Sequence, residues 1–216
     1  VRFNLRKEVK FSDGTPFTAD DAVFSLNRAM AKTSNFSPYV QGIDKVVKVD
    51  SHTIDVILKG PNPVLLRQMT ELRMMSKAWA EKNKSVDPKD MKAADENFAH
   101  RNAMGTGPYV LTSWQPDQRM VFKRNPNWWN KFEGNVQEVV YTPIANDATR
   151  LAALISGEID FVQDPAPRDV AQVVDGVRDP VRAALEVLRR RVGGEHPPHP
   201  SGLIDAVVPG VERQLD

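Results

Sequence analysis

Apolar residues in this chain repeat at every second position in some stretches and at every third or fourth in others. That switch of period restricts it to a mixed architecture of strands and helices. Phe3 and Leu5 alternate with polar neighbours, which predicts a strand from Val1 to Leu5. Ser12-Asp13-Gly14 is a turn signal. Thr18 and Asp21 have the spacing of a capping box, with Asp in place of the usual Glu or Gln. The helix they open carries Ala22, Val23, Leu26, Ala29 and Met30 on one face and ends near Lys32.

Ile43 to Val49 and Thr53 to Leu58 read as a hairpin around Asp50-Ser51-His52. Pro61 and Pro63 precede a short helix over Leu65 to Thr70. Glu81 to Asn102 is polar, with a helical pattern only in its second half. After Gly107-Pro108 the chain turns to β character. Tyr109 to Trp114 and Met120 to Lys123 flank a turn at Gln115-Pro116-Asp117-Gln118, and Val136 to Tyr141 reads as a further strand. Asn146 or Asp147 caps a helix through Ile155, with Gly157 just past its end, where a left-handed backbone is wanted. Ile159 to Val162 reads as a strand, so strand, helix and strand in succession predict a right-handed crossover in a mixed sheet.

The end of the chain has another composition. All lysines lie at or before Lys131, whereas beyond Asp164 every basic residue is Arg, and no aromatic residue follows Phe161. Asp179 to Val192 reads as a helix with Val181, Ala184, Leu185 and Leu188 on one face and Arg189-Arg190-Arg191 at its C-terminus. Formal net charge is +1, so no global field points to nucleic acid or an anionic membrane. With no cysteine, disulfides and zinc–thiolate sites are excluded. No apolar run approaches the roughly 20 residues of a membrane helix.

Three separated phrases carry more information together than apart. They are Phe11-Ser12-Asp13-Gly14-Thr15-Pro16-Phe17-Thr18-Ala19-Asp20-Asp21, then Gly105-Thr106-Gly107-Pro108-Tyr109 with Arg124-Asn125-Pro126-Asn127-Trp128-Trp129, and finally Ala148 to Asp160. In this order and spacing the chain resembles the extracytoplasmic solute-binding proteins of peptide ABC transporters, family 5, from about Val1 to about Ala171. The resemblance implies an α/β, mixed-sheet chain with part of a periplasmic-binding-protein type II fold, mainly its first lobe. It implies a protein that closes over a peptide or similar small solute and hands it to the permease subunits in the membrane. It implies no cofactor and no enzymatic activity. A periplasmic location follows, with any signal peptide expected upstream of Val1. Residues 1–104 are expected to form a lobe-one subdomain and 105–172 part of the central sheet domain. Residues 173–216 are expected to be an Arg- and Pro-rich tail foreign to the family, for which a frameshift or gene fusion in a GC-rich genome would account. On this reading the chain is a fragment that does not bind ligand alone. A reading of another class makes the fragment a scaffold whose Arg-rich tail docks a partner.

Gly105-x-Gly107 lacks the Lys-Ser/Thr of a phosphate loop and is better read as a turn into a strand. Glu158 and Asp160 are better read as solvated charges than as a catalytic pair. Asp20 and Asp21 suit a helix N-terminus. His52, His100, His196 and His199 have no zinc spacing. The ligand-binding candidates are Arg73, Trp128 and Trp129. Arg73 stands where some relatives place a basic residue facing the cleft and could clamp a carboxylate, against an ion pair with Glu71 or Asp95. Trp128 and Trp129 could stack on a solute, against packing in a subdomain seam.

Overall fold

A computed structural model describes residues 1–90, 95–132, 134–163 and 165–169. It divides into two compact units, one of Val1–Lys131 with Gln137–Val140, the other of Phe132–Val136 with Tyr141 onward. The Arg-rich helix expected over Asp179 to Val192, and the rest of the 173–216 tail, lie outside the described residues.

The first unit is built on a three-stranded sheet of β1 (Arg2–Asn4), β2 (Ile43–Asp50) and β3 (Thr53–Leu58), in the order β1-β3-β2. Both pairings are antiparallel, with Phe3 opposite Ile54 and Val46 opposite Val56. Ile43, Val46, Ile54 and Val56 point inward and are buried. Helix α1 (Ala19–Met30) lies on this face, placing Ala22, Leu26 and Ala29 against it. Phe11 and Phe17 close the core with an edge-to-face contact at 5.9 Å. Each large apolar side chain removed from water here contributes about 1.5–3 kcal/mol.

The start of α1 is fixed as its sequence predicts. Asp21 Oδ2 accepts from the Thr18 backbone N–H (2.9 Å) and from its hydroxyl (3.1 Å), while Oδ1 accepts from the Lys77 N–H (2.9 Å). A carboxylate so thoroughly hydrogen-bonded can be buried at low cost, and Asp21 is buried. Asp20, its neighbour, faces outward to Lys48 at 2.7 Å.

Short helices continue the unit: α2 (Ser37–Val40), α3 (Leu65–Met69) and α4 (Lys77–Lys82). The last was not legible as a helix. It begins where the Ser76 hydroxyl accepts from the Trp79 N–H at 3.2 Å. The helical pattern expected late in the polar stretch to Asn102 gives only a 3-10 turn, Phe98–His100, among the described residues. That turn is held by ring contact between Trp79 and Phe98 at 5.6 Å.

A second sheet orders β4 (Tyr109–Gln115), β5 (Arg119–Arg124) and β6 (Glu138–Tyr141) side by side, with β4 and β5 antiparallel. The β4–β5 turn falls at the expected residues, with Asp117 in the left-handed region (φ 57°).

The second unit contains α5 (Asp147–Ser156). Asn146 Oδ1 caps it, accepting from the Thr149 N–H at 3.0 Å, and Gly157 ends it at φ 77°. The strand expected at Ile159 to Val162 does not form, so the strand–helix–strand crossover is absent among the described residues. The N–H groups of Glu158 and Ile159 both donate to the Ala153 carbonyl (2.9 and 3.2 Å). They complete the helix end and are unavailable to a sheet ladder.

Candidate functional site

Two of the three signature phrases meet in one hydrogen-bonded clasp inside the first unit. Its base is the turn at Phe11 to Thr15. Asp13 Oδ1 accepts from the Thr15 N–H (2.9 Å) and hydroxyl (2.6 Å), and the Gly14 N–H donates to the Phe11 carbonyl (2.9 Å). Gly14 sits at φ 88°, a backbone state that a side chain strains. A side chain there would meet Asn127 at an ordinary 3.6 Å, so the glycine is required by its dihedral and not by space.

The second phrase reaches this turn from Met104 and Gly105. The Ser12 N–H donates to the Gly105 carbonyl at 3.0 Å, and the Ser12 hydroxyl to Met104 Sδ at 3.1 Å. The Arg-Asn-Pro-Asn run then locks both. Asn125 is 1% exposed, its N–H donating to the Pro108 carbonyl (2.8 Å) and its Nδ2 to the Gly107 carbonyl (2.8 Å). Its Oδ1 accepts from the Asn127 N–H (2.9 Å), and Asn127 Nδ2 donates to the Ser12 carbonyl (3.0 Å). A buried amide with both ends matched is stabilising, and one with either end unmatched is costly. The role of Asn125 was missed from sequence; its signal was an amide side chain next to proline inside the second phrase.

Within the clasp Gly105 and Gly107 present their carbonyls to Ser12 and Asn125, at the turn that leads into β4. Glu158 and Asp160 are exposed. His52 lies in the β2–β3 turn beside the Ser51 hydroxyl, and His100 bonds Asn97 in the 3-10 turn. Among the described residues no three His, Cys, Asp or Glu side chains gather as metal ligands would.

Trp128 and Trp129 follow directly and touch edge to face, with centroids 6.2 Å apart. Trp128 is half-buried. Trp129 is 38% exposed, and the Arg6 guanidinium lies over its ring at 4.6 Å, a cation–π contact worth about 0.5–1 kcal/mol at an exposed position. Arg73 is exposed just beyond α3, where its Nη1 donates to the Thr70 carbonyl at 2.6 Å. Neither acid expected to pair with it does so by an ion pair among the described residues: Asp95 is held by Lys89.

The perturbed titrating groups sit elsewhere. Asp55 lies below its ordinary value because Arg2 hydrogen-bonds it through Nε and Nη2, both at 2.8 Å. Asp50 is lowered by the backbone N–H of His52, and Asp95 by Lys89. Burial lowers Arg28, which donates to the Val86 carbonyl at 3.1 Å. Each shift has its cause in an ion pair, a turn hydrogen bond or burial.

Comparison with known proteins agrees with the phrases that the clasp unites. A family model for bacterial extracellular solute-binding proteins, family 5 Middle, matches residues 1–187. The chain belongs to this family, and its mixed α/β structure is part of a periplasmic-binding-protein type II fold. The match continues past Ala171, where the resemblance read from motifs ends. The periplasmic oligopeptide-binding protein OppA of Escherichia coli K12 is 31% identical, over 79% of this chain and 33% of its own length. Among solved structures, OppA of Burkholderia pseudomallei superposes with a TM-score of 0.65 at 25% identity, covering 81% of this chain and 36% of that one. The periplasmic binding protein DppA of Helicobacter pylori, in complex with the peptide STSA, gives 0.60 at 27% identity, covering 79% and 36%. The chain thus spans about a third of the length of the curated relatives it matches.

Proposed function

We propose that this chain supplies first-lobe framework to the solute-binding component of a peptide-type ABC importer, working in the periplasm and delivering peptides or similar small solutes to a membrane permease. The observation that carries the reading is the clasp: the residues by which the chain resembles the family are those that tie Ser12, Gly105, Gly107, Asn125 and Asn127 into one frame. The relatives' names point to peptides, and one solved relative holds a peptide. In such a protein, main-chain hydrogen bonds hold an extended peptide with tolerance for its side chains, and closure of the lobes retains it.

Of the three candidate contacts, Arg73 suits a solute best. It is exposed, and its guanidinium has N–H groups beyond the one given to Thr70, enough for a carboxylate. Trp128 and Trp129 serve packing first, with Trp129 engaged by Arg6.

A chimera tests the reading. Residues 1–163 replace the matching part of the E. coli oligopeptide-binding protein, and tripeptide affinity is measured by calorimetry. Affinity within about tenfold of the parent, about 1.4 kcal/mol, is expected, with Arg73→Ala weakening free-acid peptides more than amidated ones. A folded chimera that binds no peptide contradicts the proposal. The chain by itself, a third of a binding protein in length, is expected to bind di- to pentapeptides no more tightly than about millimolar, about −4 kcal/mol; micromolar binding would show that this third suffices.

A further inference from the structure

The turn at the base of the clasp contains Asp13-Gly14, an Asp-Gly pair; the other in the chain, Asp175-Gly176, lies outside the described residues. An Asp-Gly bond is open to attack by its own main chain, because glycine has no Cβ to obstruct the approach of its nitrogen to the preceding carboxyl. In that reaction the Gly14 nitrogen bonds to Asp13 Cγ. One carboxyl oxygen leaves as water, taking the amide proton and the proton of the carboxylic acid, and a succinimide ring remains. Water then opens the ring at one of its two carbonyls. Opening at Cγ restores aspartate. Opening at the main-chain carbonyl leaves the chain running through Cβ and Cγ, as isoaspartate. The sum is an isomerisation that needs no oxidant, reductant or enzyme.

Both reacting groups are held in the folded chain. Asp13 is exposed, but its Oδ1 accepts from the Thr15 N–H (2.9 Å) and hydroxyl (2.6 Å), which fixes the carboxyl toward Thr15. The Gly14 N–H closes the turn on the Phe11 carbonyl at 2.9 Å, and the Phe11 N–H donates to the Thr15 carbonyl at 2.8 Å. Asn127 lies over Gly14, its Nδ2 3.6 Å from where a Cβ would stand, and the same Nδ2 holds the Ser12 carbonyl at 3.0 Å. With the Ser12 N–H on the Gly105 carbonyl, the second phrase holds shut the turn that belongs to the first.

We propose that Asp13-Gly14 is a modification site, isomerising spontaneously to isoaspartate at a rate gated by the clasp. Cyclisation requires the Asp13 carboxyl and the Gly14 nitrogen to turn toward each other, which breaks the bonds to Thr15 and Phe11. The reaction therefore waits on local opening of the turn. Isoaspartate adds one carbon to the main chain inside a turn tied twice, Phe11 to Thr15 and Gly14 to Phe11. A turn so lengthened does not restore both bonds while also presenting Ser12 to Gly105 and Asn127. Modification thus fixes the clasp open and turns a transient opening into a permanent one.

Incubation of the whole chain at neutral pH and body temperature tests this, with isoaspartate followed by enzymatic methylation and by peptide mapping. Asp175→Glu in every sample removes the chain's other Asp-Gly pair, and Asp13→Glu is expected to abolish the remaining signal. A free peptide of residues 10–18 gives the ungated rate. The folded chain is expected to isomerise at residue 13 at least about tenfold more slowly than the peptide. Asn127→Ala, which uncovers Gly14 and frees the Ser12 carbonyl, is expected to recover most of that difference. Thr15→Val removes only the exposed hydroxyl bond to Asp13 and is expected to raise the rate by about threefold with an unchanged circular dichroism spectrum. Isoaspartate-13 protein, separated by chromatography, is expected to lose the slow exchange of its Ser12 amide. A folded chain that isomerises as fast as the peptide would overturn the proposal. So would a rate unmoved by both variants, a rise confined to a variant that has unfolded, or an isoaspartate-13 protein whose Ser12 amide stays protected.

Discussion

The sheets β1-β3-β2 and β4-β5-β6 arise from equally clear alternation, yet they end in different environments. The first has α1 over one face and buries Ile43, Val46, Ile54 and Val56. The second has no buried residue in any of its three strands. Period-two patterning decides that a segment is extended and which residues share a face. What covers that face is decided by residues far away in sequence, and a hairpin forms from local signals with or without the cover. The second sheet is held instead at one end, by the clasp around Asn125.

The comparison yields a ranked set of outcomes. The largest is expected from the covered sheet: Phe11→Ala or Leu26→Ala, at positions each 1% exposed, should cost about 3–5 kcal/mol in urea unfolding. Val121→Ala in β5, half-buried, should cost less than about 1 kcal/mol; equal losses at the two sheets would break the contrast. Next comes Asn125→Ala, which leaves the Gly107 carbonyl and the Asn127 N–H without their partner and should cost about 1–3 kcal/mol. A loss below about 0.5 kcal/mol would place the joint elsewhere. In the second unit, Gly157→Ala forces a side chain into φ 77° and should cost about 1 kcal/mol.

The smallest effect is one of pH. Arg2 holds Asp55 below its ordinary 3.8, so this stabilisation is complete above that value and is lost as pH falls through the lowered one. Asp55→Asn should therefore flatten the acid limb of a stability–pH profile below about pH 4 and change little at pH 7. Arg2 is exposed and Asp55 only half-buried, so the difference is small.

What was legible in the sequence follows the same division. Thr18 with Asp21, Asn146 and Gly157 specified their helix ends because caps are local chemistry. The Ile43 to Leu58 hairpin was legible because its turn and alternation agree. Ile159 to Val162 misled: its apolar residues suit a strand, but the helix end before it takes the N–H groups of Glu158 and Ile159. Helix α4 was hidden because only Ser76 marks its start and its body, Lys-Ala-Trp-Ala-Glu-Lys, sits beside a polar stretch. At the candidate site, sequence supplied the aromatic pair and Arg73 but not the parts of Asn125 and Asn127: the Asn125 amide closes onto the Gly107 carbonyl and the Asn127 N–H, and the Asn127 amide reaches the Ser12 carbonyl across the fold.

Backbone hydrogen exchange tests the central claim, that the first two of the three phrases form a structural clasp, most directly. The Ser12 and Asn125 amides, which donate to Gly105 and Pro108, are predicted to exchange as slowly as the β3 amides of Ile54 and Val56. They should be far slower than Gln118, whose N–H bonds across the exposed β4–β5 turn. Exchange at Ser12 and Asn125 as fast as at Gln118 would contradict the account.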